Sequence, residues 1–148
     1  MKKVYLLAIL FTIIFQSCID DDCGECFTPP QSFHFEIIDQ ASGENLFTNN
    51  TFESDDIEII NSLNNEIIEF SFISENELNL IQVNSIGWET EIVNLEVSIA
   101  ENELFNFYVD AERKLADCCS YTDYNEITIT NAEFELDNET GVYKILID

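Results

Sequence analysis

The chain has 148 residues, 46% hydrophobic and 24% charged, a composition that excludes a disordered protein and suits one globular core. Against 30 acidic residues stand 5 basic ones, for a net charge of −25, and two of those five, Lys2 and Lys3, lie at the extreme N-terminus. Only Arg113, Lys114 and Lys144 remain beyond them, so neither a nucleic-acid partner nor docking on anionic lipid through a polybasic face is expected.

Residues 4–15 form an uncharged run of 12, well short of the roughly 20 that a membrane-spanning helix needs. A short basic start, a short apolar stretch and then small residues read as a secretory signal. The run ends Phe15-Gln16-Ser17-Cys18, which resembles a bacterial lipoprotein signal. That resemblance implies cleavage before Cys18 and a diacylglyceryl thioether on its sulfur, with membrane contact through the lipid alone. Stable anchoring takes two or more acyl chains. Asp20, Asp21 and Asp22 follow, and an acidic run there resembles the export signal of Bacteroidota lipoproteins. It implies an outer-membrane anchor facing the cell exterior. The expected organisation is a signal peptide over 1–17, a lipidated acidic tether with a Cys-x-x-Cys pair over 18–31, and a single domain over 32–148.

Five cysteines are an odd number for an exported chain; with Cys18 lipidated, Cys23, Cys26, Cys118 and Cys119 remain. An oxidising compartment favours disulfides. Cys118 and Cys119 are neighbours, with Cα atoms about 3.8 Å apart, closer than a relaxed bridge requires. The spacing therefore favours bridges from Cys118 and Cys119 to Cys23 and Cys26, and leaves open which pairs with which. The sharper alternative is a four-thiolate zinc site, but the second half lacks the spacing of a zinc ribbon or knuckle. A thioredoxin-like site would open a helix after a strand, whereas this Cys-x-x-Cys lies in a tail before Pro29-Pro30. No metal and no cofactor are expected.

From Pro30 onward apolar and polar residues alternate with the period of a strand. Phe33, Phe35 and Ile37 form the first, and a turn follows over 40–45 with Gly43 as its left-handed residue. Ile57 and Ile59 form the second; Asn64-Asn65 then turn into one strand carrying Ile68, Phe70 and Phe72. Residues 78–83 form another, whose pattern slips at Leu80-Ile81 and points to a bulge or to burial on both faces. Strands follow at Val93 to Ile99 and Phe105 to Val109. Residues 110–117 are the one stretch that could make a helix, of about two turns. Ile127 and Ile129 make a strand, as do Phe134 and Leu136, and 138–141 close a hairpin into Tyr143, Ile145 and Ile147. Eight or nine strands with one wet face predict an all-β, antiparallel two-sheet sandwich.

Chemistry-bearing patterns are sparse. His34 is the only histidine and sits on the polar side of its strand. No nucleophile elbow, zinc-binding helix or phosphate-binding glycine loop occurs in the sequence. Among so many acids, a carboxylate pair at glycosidase spacing has no diagnostic value. Acid clusters at Asp55-Asp56 and 137–139 do not follow a calcium-loop spacing, and a diffuse atmosphere of divalent cations would serve them. Trp88, beside Gly87 in a turn-like stretch, and Tyr121 and Tyr124, flanking a polar loop, are the candidate ligand contacts.

The stretch 33–39 with the Ser42-Gly43-Glu44-Asn45-Leu46 turn resembles the opening of immunoglobulin-like, carboxypeptidase regulatory-like domains of Bacteroidota surface proteins. The whole chain resembles small Bacteroidota lipoproteins, which carry no catalytic residues to transfer. The expected function is a surface-exposed, non-enzymatic binding or accessory module for a protein or glycan. The alternatives are an acidic inhibitor or immunity lipoprotein against a basic toxin or lysozyme-like enzyme, and a carboxylate-based hydrolase.

Overall fold

The computed structural model describes Cys26, residues 28–116 and residues 119–148. Cys18, Asp20, Asp21, Asp22, Cys23 and Cys118 lie outside the described residues. Ten strands run in chain order: β1 (Phe33–Asp39), β2 (Ile57–Asn61), β3 (Glu66–Ile67), β4 (Ser71–Ile73), β5 (Leu80–Val83), β6 (Glu91–Ile99), β7 (Asn102–Ala116), β8 (Cys119–Thr130), β9 (Glu133–Asp137) and β10 (Val142–Ile147). They form two five-stranded sheets, in the orders β4-β5-β1-β10-β9 and β3-β2-β6-β7-β8. The all-β sandwich expected from the alternation is therefore present.

Side-chain alternation explains the layering. In β1, Phe33, Phe35 and Ile37 are fully buried while His34 and Glu36 face outward. Val93, Leu95 and Val97 of β6 and Phe105, Phe107 and Val109 of β7 supply the facing layer. The ring of Phe107 meets those of Phe33 at 4.9 Å, Phe35 at 4.9 Å and Tyr143 at 5.8 Å, each edge to face. β1 lies at the centre of its sheet, antiparallel to β5 and parallel to β10. On the wet face of that sheet Lys144 is flanked across the ladders by Glu36 of β1 and Glu135 of β9.

Three expectations are corrected. The single strand read through Ile68, Phe70 and Phe72 is two short strands in different sheets, because β3 pairs with β2 and β4 with β5. Between them the chain crosses the edge of the sandwich, and Ile68 and Phe70 pack against the core without a strand of their own. The candidate helix is the second half of β7: residues 110–116 pair with β8 from Asp110↔Glu126 to Ala116↔Cys119. Ala, Glu, Lys, Arg and Leu favour a helix weakly, and a ladder of tertiary partners overrides that preference. Tyr121 and Tyr124 consequently lie within β8, not beside a loop. The slip at Leu80-Ile81 is a strand buried on both faces, with Leu80 at 7% and Ile81 at 0% exposure.

Two turns carry the structure's depressed carboxyls. Asp39 Oδ1 accepts from both the backbone N–H and the hydroxyl of Ser42, each at 2.7 Å, and Gly43 turns at φ +75°. The Ser42 hydroxyl, then its N–H, hold Asp39 below the ordinary value for its type. Asp137 Oδ1 accepts from Glu139 N–H at 2.9 Å, and that bond, followed by one from Thr140, lowers Asp137 likewise.

Phe107→Ala should cost about 3–5 kcal/mol in urea unfolding, since it empties the interlayer contact. Phe134→Ala, at a ring 42% exposed, should cost no more than about 1 kcal/mol. At acid pH the sign follows from the lowered carboxyls. Folded Asp39 and Asp137 bind fewer protons than the unfolded chain, whose reference value is 3.8. Their contribution is complete above that value and is lost as pH falls through the folded ones. Asp39→Asn with Asp137→Asn should therefore flatten the fall in stability between about pH 4 and pH 2; an unchanged slope in denaturant titrations would remove these turns from the acid response.

Candidate functional site

β6 stops pairing with β7 at Glu91↔Ala111, whereas β7 and β8 continue to Ala116↔Cys119 as a two-stranded arm. A bulge between Asp110 and Ala111 marks where the arm leaves the sheet, the kind of irregularity that re-aims a ribbon. A lone two-stranded ribbon is marginal in water, so its other contacts matter.

The tether supplies the first. Cys26 is disulfide-bonded to Cys119, 93 residues later, with Cα atoms 5.3 Å apart. This agrees with the spacing argument for bridges between the two cysteine segments. Closing so long a loop is worth roughly 4–5 kcal/mol in the chain-entropy model. Arg113 supplies the second: its Nη1 donates to Thr122 Oγ1 at 2.8 Å and its Nη2 to the carbonyl of Thr28 at 2.9 Å. One side chain thus clasps β8 and the tether. Lys114 bridges Glu112 at 2.9 Å and Asp123 at 2.8 Å, two carboxylates that face each other across the ladder. Like charges in that position would repel; the hydrogen bonds to Asp123, then Glu112, push the Lys114 ammonium above its ordinary value.

The loop over 84–90 packs against the base of the arm. Thr122 Oγ1 donates to Gly87 O at 2.6 Å, and Gly87 N–H donates to Glu91 Oε1 at 2.6 Å. The Tyr124 hydroxyl accepts from Gln31 N–H at 3.0 Å, and its ring stands edge-on to Phe33 at 5.5 Å. Burial raises the phenol above its ordinary value, and the Gln31 bond opposes that rise. Gly87 is required here: its φ is +92°, and a Cβ would lie 2.8 Å from Thr122 Cγ2 and 2.9 Å from the Tyr124 hydroxyl.

The three aromatic candidates therefore separate. Tyr124 is engaged in joining tether, loop and core. Trp88 is 45% exposed, its indole N–H donating to Asn84 O at 2.9 Å, and Tyr121 is 41% exposed opposite Lys114 on the arm. His34 lies 2.9 Å from Gln82 Nε2 across the β1–β5 ladder. Among the described residues no group of three or more His, Cys, Asp or Glu is placed to hold a metal ion, and no helix is long and apolar enough to cross a membrane.

On its other side the same loop walls a cavity of about 310 Å³, whose lining includes Asn61 at the end of β2 and Glu91 at the start of β6. Sequence reasoning missed Asn61. Its only signal was an amide at the inward phase of an otherwise apolar strand, after Ile57 and Ile59. No protein-family model matches this chain, and no curated protein or solved structure matches it either.

Gly87→Ala should lower stability by at least about 2 kcal/mol, combining left-handed strain with the clash against Thr122 and Tyr124. Gly43→Ala, at φ +75° with open space around the new methyl group, should cost only about 1 kcal/mol. Equal losses in the two variants, measured by urea unfolding, would mean that the loop does not bear on the arm.

Proposed function

We propose that this chain is a lipid-anchored module of the bacterial envelope, facing the cell exterior, that binds a partner and performs no chemistry of its own. The observation that carries this reading is the Cys26–Cys119 bond. Disulfides persist in oxidising compartments, which supports export and so supports the lipoprotein-like start of the sequence. The bond also joins the tether to the end of the arm. From Cys18 to Cys26 is a step of 8 residues, about 26–29 Å when fully extended. A lipid on Cys18 would thus hold the sandwich near the bilayer by the arm, where Leu115 is 76% exposed. The opposite end, with its turns at 40–45 and 100–101, would face outward.

A second reading, an acidic inhibitor or immunity lipoprotein for a basic toxin or lysozyme-like enzyme, is favoured by the use of the cations. Arg113 is spent on Thr122 and Thr28, Lys114 on Glu112 and Asp123, and Lys144 lies between Glu36 and Glu135. The wet faces are left strongly negative, which suits electrostatic steering of a basic protein.

Cells making the full chain and fed an alkyne-tagged palmitate should label it, and Cys18→Ala should abolish the label. Protease added to intact cells should remove the domain. Label persisting in Cys18→Ala refutes the anchor, and a domain protected until the cells are lysed refutes the outward orientation.

A further inference from the structure

Asn61 is only 5% exposed, and its amide is oriented by the backbone. Its Oδ1 accepts from Leu63 N–H at 3.2 Å and from Asn94 N–H at 3.3 Å. The oxygen is fixed toward two donors, so the NH2 group points the other way, and Asn61 lines the 310 Å³ cavity between β2, β6 and the 84–90 loop. No hydrogen-bond acceptor among the described residues takes that NH2. Among the described residues no fully sealed side-chain polar atom lacks a partner, so this group is reached by solvent. Water is the partner of this donor in the free protein, and an acceptor on a ligand would replace that water.

The walls narrow what could match it. Glu66 and Glu91 line the cavity, and each has one oxygen engaged within the protein: Glu66 by the Asn64 amide at 3.1 Å, Glu91 by Gly87 N–H at 2.6 Å. Each keeps a second oxygen able to accept. Ile68, half-buried on the inward face that also carries Asn61, supplies apolar surface. A cationic side chain carries donors alone, so it would satisfy the carboxylates and leave the Asn61 NH2 facing another donor. An anion would satisfy Asn61 and be repelled by two carboxylates. An apolar group would desolvate all three. A neutral group with hydroxyls on one edge and carbon on its face satisfies every wall, since a hydroxyl both donates and accepts.

We propose that this cavity binds a neutral saccharide unit, with the Asn61 NH2 donating to one sugar oxygen, Glu66 and Glu91 accepting from hydroxyls, and the ring face resting on Ile68. The volume is at the lower end for small-molecule sites, which run about 300–1,000 Å³, and suits one sugar rather than several. The inference deepens the binding-module reading and rests on it, but it does not depend on the lipid anchor.

The test is a titration of the 15N-labelled full chain with glucose, galactose, mannose and N-acetylglucosamine, each to roughly 50 mM, a range that covers a millimolar Kd. At least one sugar should move the Asn61 side-chain NH2 resonances saturably. Asn61→Asp keeps the oxygen for Leu63 and Asn94 but turns the donor into an acceptor, and should weaken binding about tenfold or more. Should that variant not fold, Glu66→Ala, which removes an accepting carboxylate from an exposed position on the cavity wall, should bring a comparable loss. No saturable shift with any of the four sugars overturns the proposal, as does undiminished affinity in the folded variants. A shift produced only by lysine methyl ester, or only by acetate, also overturns it, in favour of a cationic or an anionic ligand. None of these outcomes touches the palmitate label, so failure of the sugar site and failure of the anchor are told apart.

Discussion

The two sheets meet where the Phe107 ring of β7 is enclosed by Phe33, Phe35 and Tyr143. That contact sets β7 opposite β1 and β10, and the other layers fall into register around it. Phe35 also touches Phe105 at 5.2 Å and Tyr143 at 5.7 Å, so the cluster continues along the layer gap. With β7 fixed by its buried half, the direction of its exposed half is fixed too. The arm, the tether bonded to it and the loop against its base all take their positions from that one strand.

Charge is handled by separation more than by pairing. Among the described residues Asn61 and Ser98 are the buried polar side chains, and the acids lie at exposed or half-buried positions of the strands and turns. Some of the acids are given structural tasks, as Asp39 and Asp137 are in their turns and Glu91 is at Gly87. Arg113 and Lys114 sit together on the arm, where the chain is thinnest and a hydrophobic core cannot help. There a charge-assisted clasp does what buried area does elsewhere.

Much of the fold was legible because period-two alternation reports directly which face of a strand is buried. β1, β6 and β10 were read correctly from Phe33-Phe35-Ile37, Val93-Leu95-Val97 and Tyr143-Ile145. Alternation does not say which sheet a strand joins, so the crossing at Ile68 and Phe70 looked like one continuous strand. The far half of β7 was obscured because Ala111 to Leu115 are residues with good helix propensity and their partners, Ser120 to Tyr124, lie further along the chain. The cysteine spacing limited the bridges to two segments, and the fold supplied the Cys26–Cys119 pairing. At the candidate site, residue type drew attention to Trp88, Tyr121 and Tyr124, but only burial separates the exposed pair from the tyrosine built into the joint. Asn61 gave almost no signal, because its role depends on an orientation imposed by Leu63 and Asn94.

The bridge also decides how the molecule meets a mechanical load. A pull along the tether reaches Cys26 before it reaches β1, so tension passes through the sulfur atoms into Cys119 at the head of β8. From there it runs along the strand axis, against the β7–β8 ladder, which carries pairings from Ala116↔Cys119 to Asn106↔Thr130. Bonds loaded along the strands share the force and must yield together, whereas bonds loaded across them open one after another. The covalent link therefore spares the short β1–β5 ladder and directs strain into the longest ladder among the described residues. A domain loaded through this bridge is not unravelled from its first strand.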